Sequence, residues 1–385
     1  MLTEQGCRQR RQNLWSVLPD TVEQALIGDS RHVQYFCGFR TNPISFSADQ
    51  AAMLLLSRDG HAVLFCDNFT RRSAVGEVFV SEEIIQPWYD HQHSVTNRHL
   101  SLSSALSTYP RTIDPSALLV ERDGLSVELT SVIPNSLTSI SVGSTSSSLG
   151  TVIRRLRRTK QPDELSLIQN CMNAGAAGQA AAFNAVVPGA TELDVYISVQ
   201  AAAQQTAGCP CIVYGDFRAT NADVFRAGGL PTEHRLKTGD MMILDFSVVI
   251  AGYRSDFTNT VAVGIPTSEQ ASQAEACIAA LTAGESKLVA GTGCASVFET
   301  VDAQLVQRGF PGLSHHAGHG LGLEHPEAPI LVPHSTDNLL PGDVVTLEPG
   351  LYIKGVGGMR FEHNYVITDS GCERLSRHDL GLQPG

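Results

Sequence analysis

The sequence predicts an α+β protein in two parts: a small α/β domain over residues 1–150, and an α+β domain over residues 151–385 whose helices lie outside a largely antiparallel sheet. Three observations support this. Strand-like and helix-like patches alternate over residues 20–145. A serine-rich, weakly hydrophobic stretch at residues 136–150 then runs into the charged segment RRLRRTKQPDEL. Helical patterns follow and give way to strands and turns from Met241 onward. The serine-rich stretch places the domain boundary near residue 150.

The individual elements follow from local patterns. AAMLLLS (51–57) and HAVLF (61–65) flank the turn SRDG, so we expect two short buried strands around it. Pro-Asp-Glu at 162–164 marks a helix start, because proline and acidic residues favour the first helical turn. Pro188-Gly189 stops that helix. Further helices are expected in ELDVYISVQAAAQQ and near Ser268–Ala290 and Ala295–Arg308.

Composition excludes several classes of protein. The 385 residues are 42% hydrophobic and only 17% charged, which suits a sizeable core and argues against long disordered tails. The formal net charge is -12, and no basic block exceeds RRLRR at Arg154–Arg158, so a nucleic-acid partner is not expected. The N-terminus lacks an apolar signal core, and no apolar run approaches the ~18 residues of a membrane span. We expect no membrane partner and no targeting address.

The cysteines indicate a reducing compartment. There are nine, an odd number, scattered between Cys7 and Cys372. We interpret all of them as reduced, which suits a cytoplasmic protein. Cys209 and Cys211 are the closest pair, but their spacing is tighter than the usual C-x-x-C metal motif. A metal pair there is therefore disfavoured.

The segment MMILDFSVVIAGYRSDFTNTVAVG predicts a hairpin that carries two aspartates. If Ile250-Ala251 is the loop, Asp245 and Asp256 face each other directly, with Cβ atoms ~4.5–5.5 Å apart. Leu244, Phe246 and Val248 then lie on the opposite, core face. Two such close carboxylates require a proton or a cation between them. Two solvated aspartates on a surface hairpin remain the alternative, because the register is assumed.

Two glutamates and a histidine occur in similar contexts. Glu348 follows an apolar run in DVVTLEPGLYI, and Glu362 does so in GMRFEHNYVIT, so each carboxylate needs a partner if buried. Arg360 could pair with Glu362 as an ordinary salt bridge. His319 lies in GHGLG, where glycines let backbone pass close to a site. Oxygen ligands with one imidazole suit two divalent ions such as Mn²⁺, Co²⁺ or Zn²⁺.

Together these residues resemble the M24-type metallopeptidase family of methionine aminopeptidase, aminopeptidase P and prolidase. The family pattern is Asp in a first strand, Asp eleven positions on in GYxSDxT, His in GHGxG, Glu in EPG and Glu in a final RxE strand. This chain has all five, in order: Asp245, Asp256, His319, Glu348 and Glu362. Residues 1–150 resemble the N-terminal domain of creatinase and prolidase, and RRLRRTKQPDELSLIQ resembles the helix that opens the catalytic domain.

The resemblance implies a fold and a chemistry. It implies a pita-bread catalytic domain over residues 151–385, with two divalent metal ions, Mn²⁺ or Co²⁺ before Zn²⁺. A hydroxide that bridges the metals would attack the amide carbonyl, with Glu348 as general base. His315, four positions before the ligand histidine, would contact the substrate. The expected function is Xaa-Pro dipeptidase or aminopeptidase P, acting on a small peptide with proline second, as a homodimer.

One departure from the family concerns a second substrate histidine. The chain reads GHGLGLEHPEAP where the family typically reads GHGxGLEVHExP, so the histidine moves by one position to His325 and Pro326 takes its place. On a strand, this shift would turn the side chain to the opposite face. Alternatively, the proline-containing loop directs His325 back into the site.

Another departure is the absence of an upstream histidine. The family usually has one about ten residues before the Gly-Asp that opens the first metal strand, and Gly229 lies near that place. His234 comes too late to match, and Arg226 could supply a donor from a different direction. Asn259 stands where the family often has an arginine.

These departures leave two alternative functions open. One is a non-peptidase enzyme on the same scaffold, an amidinohydrolase or a lyase, because fold does not determine chemistry. The other is a non-catalytic module that binds a peptide or a partner.

Overall fold

The chain divides into two units, Met1–Arg157 and Arg158–Gly385. The structure is a computed structural model that describes residues 1–44, 52–92, 94, 98–133, 136–142 and 145–383. Residue 51 of the first predicted strand and residues 143–144 of the serine-rich stretch lie outside the described residues. The predicted domain boundary near residue 150 falls at the start of the last helix of the first unit.

The first unit is α/β. Its sheet has the order β4-β3-β2-β1-β5, with β1–β5 at Gln24–Ile27, Ala52–Ser57, Ala62–Asp67, Glu82–Gln86 and Leu118–Val120. The two strands predicted around SRDG are confirmed as β2 and β3, an antiparallel pair. A small hairpin adds β6 (Ile140–Val142) and β7 (Thr145–Ser147). The helices α1–α6 are Glu4–Val17, Ser30–Cys37, Asn68–Arg72, His99–Ser107, Val127–Val132 and Leu149–Leu156.

The second unit begins with two long helices. α7 starts at Pro162 as predicted, and the Glu164 carboxylate accepts the Gln161 backbone N–H at 2.9 Å, which satisfies an otherwise free donor of the first turn. The helices α7–α10 are Pro162–Ala185, Glu192–Ala207, Ser268–Glu285 and Cys294–Gln307. Each corresponds to a predicted helix, with ends that differ by a few residues.

Two antiparallel sheets and a hairpin complete this unit, as the α+β prediction requires. In the first sheet the central strand β9 pairs with β8 along one edge and with β10 and then β11 along the other. The second has the order β13-β12-β14-β17-β18, and β15 pairs with β16. The strands β8–β18 are Ile212–Thr220, Met241–Ile250, Tyr253–Arg254, Phe257–Ala262, Gly318–Gly320, Glu327–Leu331, Val344–Leu347, Gly350–Ile353, Gly357–Arg360, His363–Ile367 and Cys372–Arg374.

The predicted register of the aspartate hairpin is wrong. Tyr253 pairs with Ile250, so the loop is Ala251-Gly252, and Asp245 faces Thr258 instead of Asp256. Ala251 and Gly252 both have positive φ, the backbone that a tight two-residue turn requires. Because the register moved by two residues, the side-chain alternation is preserved.

The core face of the hairpin is confirmed. Leu244, Phe246 and Val248 are all buried. The rings of Phe217, Phe246 and Phe257 stack in a row, with centroids 5.5 and 6.0 Å apart. The packed face fixes β9 and leaves the other face of the strand to its polar residues.

All nine cysteines are free thiols, in line with the expectation that they are reduced. Cys209 is exposed and Cys211 is buried, and neither belongs to a potential metal-binding cluster in the described parts of the chain. Over those parts, no helix has both the length and the apolar character needed to cross a membrane.

Candidate metal centre and active site

The five predicted ligand residues come from both sheets of the second unit and meet at one cavity of about 480 Å³. Four of them, Asp245, Asp256, His319 and Glu348, line its wall. The fifth, Glu362, is buried, and one of its carboxylate oxygens lies within 4.8 Å of oxygens of Asp245 and Asp256. Asp245 and His319 lie inside the strands β9 and β12. The other three lie just outside strands: Asp256 precedes β11, Glu348 follows β14 and Glu362 precedes β17.

Three carboxylates crowd at the base of the cavity. Burial, together with the charges of Asp256, Glu348 and Asp245, raises the pKa of Glu362 well above its usual range. Burial likewise raises the pKa of Asp245 to about 6, although the nearby Arg360 opposes the shift. These carboxyls therefore resist ionisation until a positive charge is brought between them.

Glu362 is only half satisfied by the protein. Its Oε2 accepts a hydrogen bond from Thr258 Oγ1 at 2.7 Å, while Oε1 is buried without a hydrogen-bond partner in the described parts of the chain. A buried carboxylate oxygen without a partner is costly, so this atom indicates a missing ligand.

The salt bridge between Arg360 and Glu362, which was the alternative to a ligand role for Glu362, is not formed. Arg360 donates through Nη2 to Asp245 Oδ2, and its Nε lies 3.8 Å from Glu348 Oε2. Its Nη1 also donates to the Tyr352 hydroxyl at 2.5 Å. The structure gives the reason: Arg360 ends β16 opposite Gly350, whereas Glu362 lies beyond the strand and turns toward Thr258.

His319 is oriented as a ligand would be. Its Nδ1 is 2.9 Å from the Gly320 carbonyl, which assigns the proton to Nδ1 in the neutral ring and directs Nε2 toward Asp256 and Glu348, at 3.4 and 3.3 Å. Burial opposes a charge on this ring, but the Asp256 and Glu348 carboxylates outweigh it and raise the pKa of His319 to about 9.

The flanking glycines of His319 serve the sheet. A Cβ on Gly318 would lie 2.0 Å from the Thr346 carbonyl oxygen, and one on Gly320 would lie 2.3 Å from that of Ala328. The predicted close approach of backbone is therefore present, between neighbouring strands. It allows β12 to pack closely between β13 and β14, and this packing positions the His319 side chain.

Asp256 and Glu348 are the ionised members of the group. Burial disfavours their charge, but His319 and His325 hold the pKa of Asp256 well below its usual range. His316, His319 and Arg360 similarly lower the pKa of Glu348 to about 2. Glu348 is thus a carboxylate at neutral pH, which is the form that can accept a proton.

The displaced His325 points into the site. It lies in the loop before β13 and not on a strand, so the predicted reversal of face does not occur. Its Nε2 is 2.7 Å from Asp256 Oδ2, and its ring centroid is 4.7 Å from that of His319. A buried Lys160–Glu327 ion pair of 2.6 Å holds this loop, since Glu327 also accepts the Glu324 backbone N–H.

Two further histidines line the cavity. His315 Nδ1 is 2.8 Å from the His316 carbonyl, and its Nε2 is buried without a hydrogen-bond partner in the described chain. Burial lowers the pKa of His315 to about 4, so the ring is neutral and Nε2 is an acceptor. His316 Nε2 lies 3.0 Å from Glu348 Oε1. Sequence reasoning missed His316, although the His-His doublet before GHG was a visible signal.

The upstream departures occupy distinct places. Gly228, one residue from the predicted position, lines the cavity, together with Arg226. Gly229 instead donates its N–H to Asp216 Oδ1 at 2.6 Å. His234 pairs with Asp240 at 3.3 Å, and Asn259 is buried and bonded to the Asp379 carbonyl, so neither lines the cavity.

The donor set fits divalent cations. Four carboxylates and an imidazole converge, and three of the carboxylates offer oxygens within 4.8 Å of one another. Within the described chain, one Glu362 oxygen has no hydrogen-bond partner. Hard oxygen donors with one nitrogen suit Mn²⁺, Co²⁺ or Zn²⁺. Two more candidate groups share these residues: Asp256, His319 and His325, and His315, His316 and Glu348.

Comparison with known proteins gives a family match for each part of the chain. Residues 166–369 match the model of metallopeptidase family M24, and residues 20–159 match the creatinase/prolidase N-terminal domain. An uncharacterized peptidase of Staphylococcus aureus strain USA300 is 25% identical over 364 residues, which cover 93% of this chain and 95% of the relative.

Solved structures share the whole fold. The Xaa-Pro dipeptidase from Bacillus anthracis aligns with a TM-score of 0.76 and 22% identity, over 98% of this chain and 99% of that one. The prolidase from Pyrococcus horikoshii OT3 gives 0.75 and 21% over the same shares. The X-Pro aminopeptidase from Thermotoga maritima MSB8 gives 0.75 and 17%, over 97% of this chain and 99% of that one. With a family match that spans more than half of its length, this chain belongs to metallopeptidase family M24, as a catalytic domain preceded by a creatinase-type N-terminal domain.

Proposed function

We propose that this chain is a dinuclear metal-dependent hydrolase of Xaa-Pro peptide bonds. The observation that carries the proposal is the convergence of Asp245, Asp256, His319, Glu348 and Glu362 at one cavity, with a buried Glu362 oxygen that has no hydrogen-bond partner among the residues the structure describes. The solved structures of similar fold support the choice of bond, since they include an Xaa-Pro dipeptidase, a prolidase and an X-Pro aminopeptidase.

The five residues would hold two divalent ions, with Mn²⁺ or Co²⁺ favoured over Zn²⁺. When bound, such a pair supplies an activated water and polarises the scissile carbonyl. The side chains around the metal centre supply the proton acceptor and the contacts to the substrate.

Glu348 is the general base in this proposal. It is ionised at neutral pH and lies on the cavity wall, 3.0 Å from His316 and 3.2 Å from the Thr346 hydroxyl. These two contacts hold the carboxylate in one orientation. It therefore accepts the proton of the attacking water without first having to reorganise.

His315 and His325 are the proposed substrate contacts. His325 is partly exposed, and its position beside Asp256 places the ring at the edge of the metal centre. His315 Nε2, which has no hydrogen-bond partner in the described chain, faces the cavity as an acceptor. Each ring is also oriented by a hydrogen bond, that of His315 to the His316 carbonyl and that of His325 to Asp256.

A non-peptidase reaction on the same centre is the second candidate. The chain has Gly229 near the place where the family resemblance implies a histidine, and removing one donor to a reaction intermediate can cost ~10²–10³-fold in rate. An amidinohydrolase or lyase would tolerate that loss if its substrate made no contact there. The retained ligand set favours the metal-dependent hydrolase.

The deciding experiment follows proline release by metal-stripped protein after addition of Mn²⁺, Co²⁺ or Zn²⁺. The substrates are Ala-Pro, Gly-Pro and a longer peptide with proline second, and Glu348→Gln is the inactive control. Metal-dependent release of proline from the dipeptides supports a dipeptidase, and release of only the first residue of the longer peptide supports an aminopeptidase P. No turnover of any peptide by the metal-loaded protein would refute the proposal and favour the non-peptidase reaction.

The assembly and the location of the enzyme also remain proposals. We propose a homodimer in the cytoplasm, following the family resemblance and the free cysteines. Sedimentation of the purified chain tests the first part, and fractionation of the source cells tests the second.

A further inference from the structure

Arg226 is a cation of the cavity wall, and no group among the described residues neutralises it. In the part of the chain that the structure describes, its guanidinium makes no hydrogen bond and no ion pair, and it lies 5.4 Å from the centre of the Tyr352 ring. Arg360, the other arginine of the wall, is instead committed to Asp245 and Glu348. The cavity therefore keeps one guanidinium available for an anion that enters with the substrate.

The backbone around Arg226 is held in place from both sides. On one side, Asn221 Oδ1 accepts the Val224 backbone N–H at 2.9 Å. On the other, the Gly229 N–H donates to Asp216 Oδ1 at 2.6 Å. The Arg226 side chain also rests on Tyr352, so a ligand that binds it has less disorder to remove.

Gly228, two residues after Arg226, adds no side chain to the cavity wall. Gly228 lines the cavity, and a Cβ there would lie 2.9 Å from Asp216 Oδ2, so a side chain would collide with the aspartate that anchors the loop. The segment from Arg226 to Gly228 therefore contributes a permanent cation and no imidazole to the cavity wall.

We propose that Arg226 docks a carboxylate of the substrate beside the scissile bond. This inference rests on the proposed function and deepens it, because it assigns the substrate class. In an Xaa-Pro dipeptide the free carboxylate is attached to the carbon next to the scissile nitrogen, whereas in a longer peptide that position is a neutral amide. A guanidinium binds a carboxylate through two parallel hydrogen bonds and gains much less from an amide. An acidic side chain in the first residue is the second source of the same group.

The test compares three substrates on the metal-loaded enzyme: Ala-Pro, Ala-Pro amide and Glu-Pro amide. Arg226→Gln should lower kcat/KM by about 10–100-fold, mainly through KM, for the substrate whose carboxylate Arg226 docks, either Ala-Pro or Glu-Pro amide. It should leave kcat/KM for Ala-Pro amide nearly unchanged. Arg226→Lys should recover part of the lost kcat/KM, since it restores the positive charge but not the two parallel hydrogen bonds of the guanidinium. Arg308→Gln, at the exposed end of α10, is the matched control and should behave as wild type.

The substrate arms identify the carboxylate. A loss confined to Ala-Pro assigns the C-terminal group and makes the enzyme a dipeptidase; a loss confined to Glu-Pro amide assigns the side chain. Equal losses on all three substrates would overturn the inference while leaving Xaa-Pro hydrolysis intact. So would an Arg226→Gln enzyme that behaves as wild type.

A binding measurement separates this inference from the proposed function. If the wild type hydrolyses none of the peptides, that function fails, and calorimetry with the same three peptides decides the docking. Tighter binding of a carboxylate-bearing peptide than of Ala-Pro amide, lost in Arg226→Gln, would support the docking on its own. Equal affinities for all three would overturn it.

Discussion

Glu362 is the residue whose environment is hardest to explain without a cation. Its pKa is raised by burial and by three other carboxylates, and one of its oxygens is unsatisfied in the described structure. In the metal-free protein this carboxyl therefore holds a proton more tightly than an ordinary glutamate does. A glutamine in its place has the same shape and no charge to lose.

We therefore expect Glu362→Gln to damage the metal-loaded enzyme and spare the metal-free fold. Metal affinity should fall by more than the ~10–100-fold that loss of an outer hydrogen-bond partner to a ligand costs, because a ligand itself is removed. The Tm of the metal-free protein should stay close to that of wild type. Metal titration with thermal unfolding measures both, with Glu373→Gln on the exposed strand β18 as the control. A metal-free variant that unfolds far below wild type would contradict this explanation.

The raised pKa values predict that metal binding releases protons. His319 holds a proton at pH 7 in the metal-free protein, since its pKa is raised to about 9. The raised pKa of Glu362 makes that carboxyl hold its proton more tightly than an ordinary glutamate does. An incoming cation must displace these protons. Metal affinity should therefore weaken as the pH falls from 9, and more steeply near pH 6, where Asp245 also takes up a proton.

Calorimetric titration in buffers of different ionisation enthalpy counts the released protons. A binding enthalpy that depends on the buffer at pH 7 is the expected result. The same enthalpy in every buffer would show that the ligands are already deprotonated.

For single residues, short sequence motifs identified the candidate metal ligands, whereas the contacts that depend on the fold were not predictable. Asp245, Asp256, His319, Glu348 and Glu362 each lie in a short motif, so their identity was readable from the sequence. The roles of His316 and Arg226 depend on which surface the chain folds against, and no local pattern carries that information. Nearness in sequence left Glu362 open as a partner of Arg360, whereas the fold pairs Arg360 with Asp245, far away in sequence.

Among the elements, the loop that carries His325 depends on a buried ion pair. Lys160 and Glu327 are 2.6 Å apart, and their side chains are only 1% and 8% exposed. Removing one partner of such a pair leaves the other charge buried and typically costs ~3–5 kcal/mol.

Glu327→Gln should therefore destabilise the protein and also lower turnover, because the loop no longer holds His325 beside Asp256. Denaturant unfolding and kcat/KM are the two readouts, and His325→Ala shows the kinetic effect by itself. Glu299→Gln on the exposed face of α10 is the control and should change neither. Wild-type turnover in Glu327→Gln would mean that the ion pair does not orient His325.

Strand register marks the limit of prediction for single elements. The hairpin of β9 and β11, its core face and its two aspartates followed from alternation along the chain. The turn did not, because Ile250-Ala251 and Ala251-Gly252 both satisfy the hydrophobic pattern. The positive φ values at Ala251 and Gly252 decide between them. Thr258, the strand partner of Asp245, also donates a hydrogen bond to Glu362. The position of Glu362 near the two aspartates therefore depends on this contact as well as on the hairpin.

For the whole molecule, the two-part α+β architecture was predictable, because helices, strands and the five motifs keep their order along the chain. The way in which two sheets meet at one cavity was not, since it depends on contacts between residues more than a hundred positions apart. Arg360 and Asp245 are one example, and Thr258 and Glu362 are another. The second unit thus holds the carboxylates of the metal centre so close together that they repel one another unless a cation or a proton lies between them.

The central claim is that these charges exist to hold two divalent ions on which hydrolysis depends. The most direct test titrates Mn²⁺ into the metal-stripped, full-length chain and records bound metal and release of proline from Ala-Pro in the same samples. We predict no turnover without metal, and a rise that reaches its plateau at two bound ions per chain. Full turnover in the metal-free protein, or a plateau with two ions bound and no proline released, would contradict the claim.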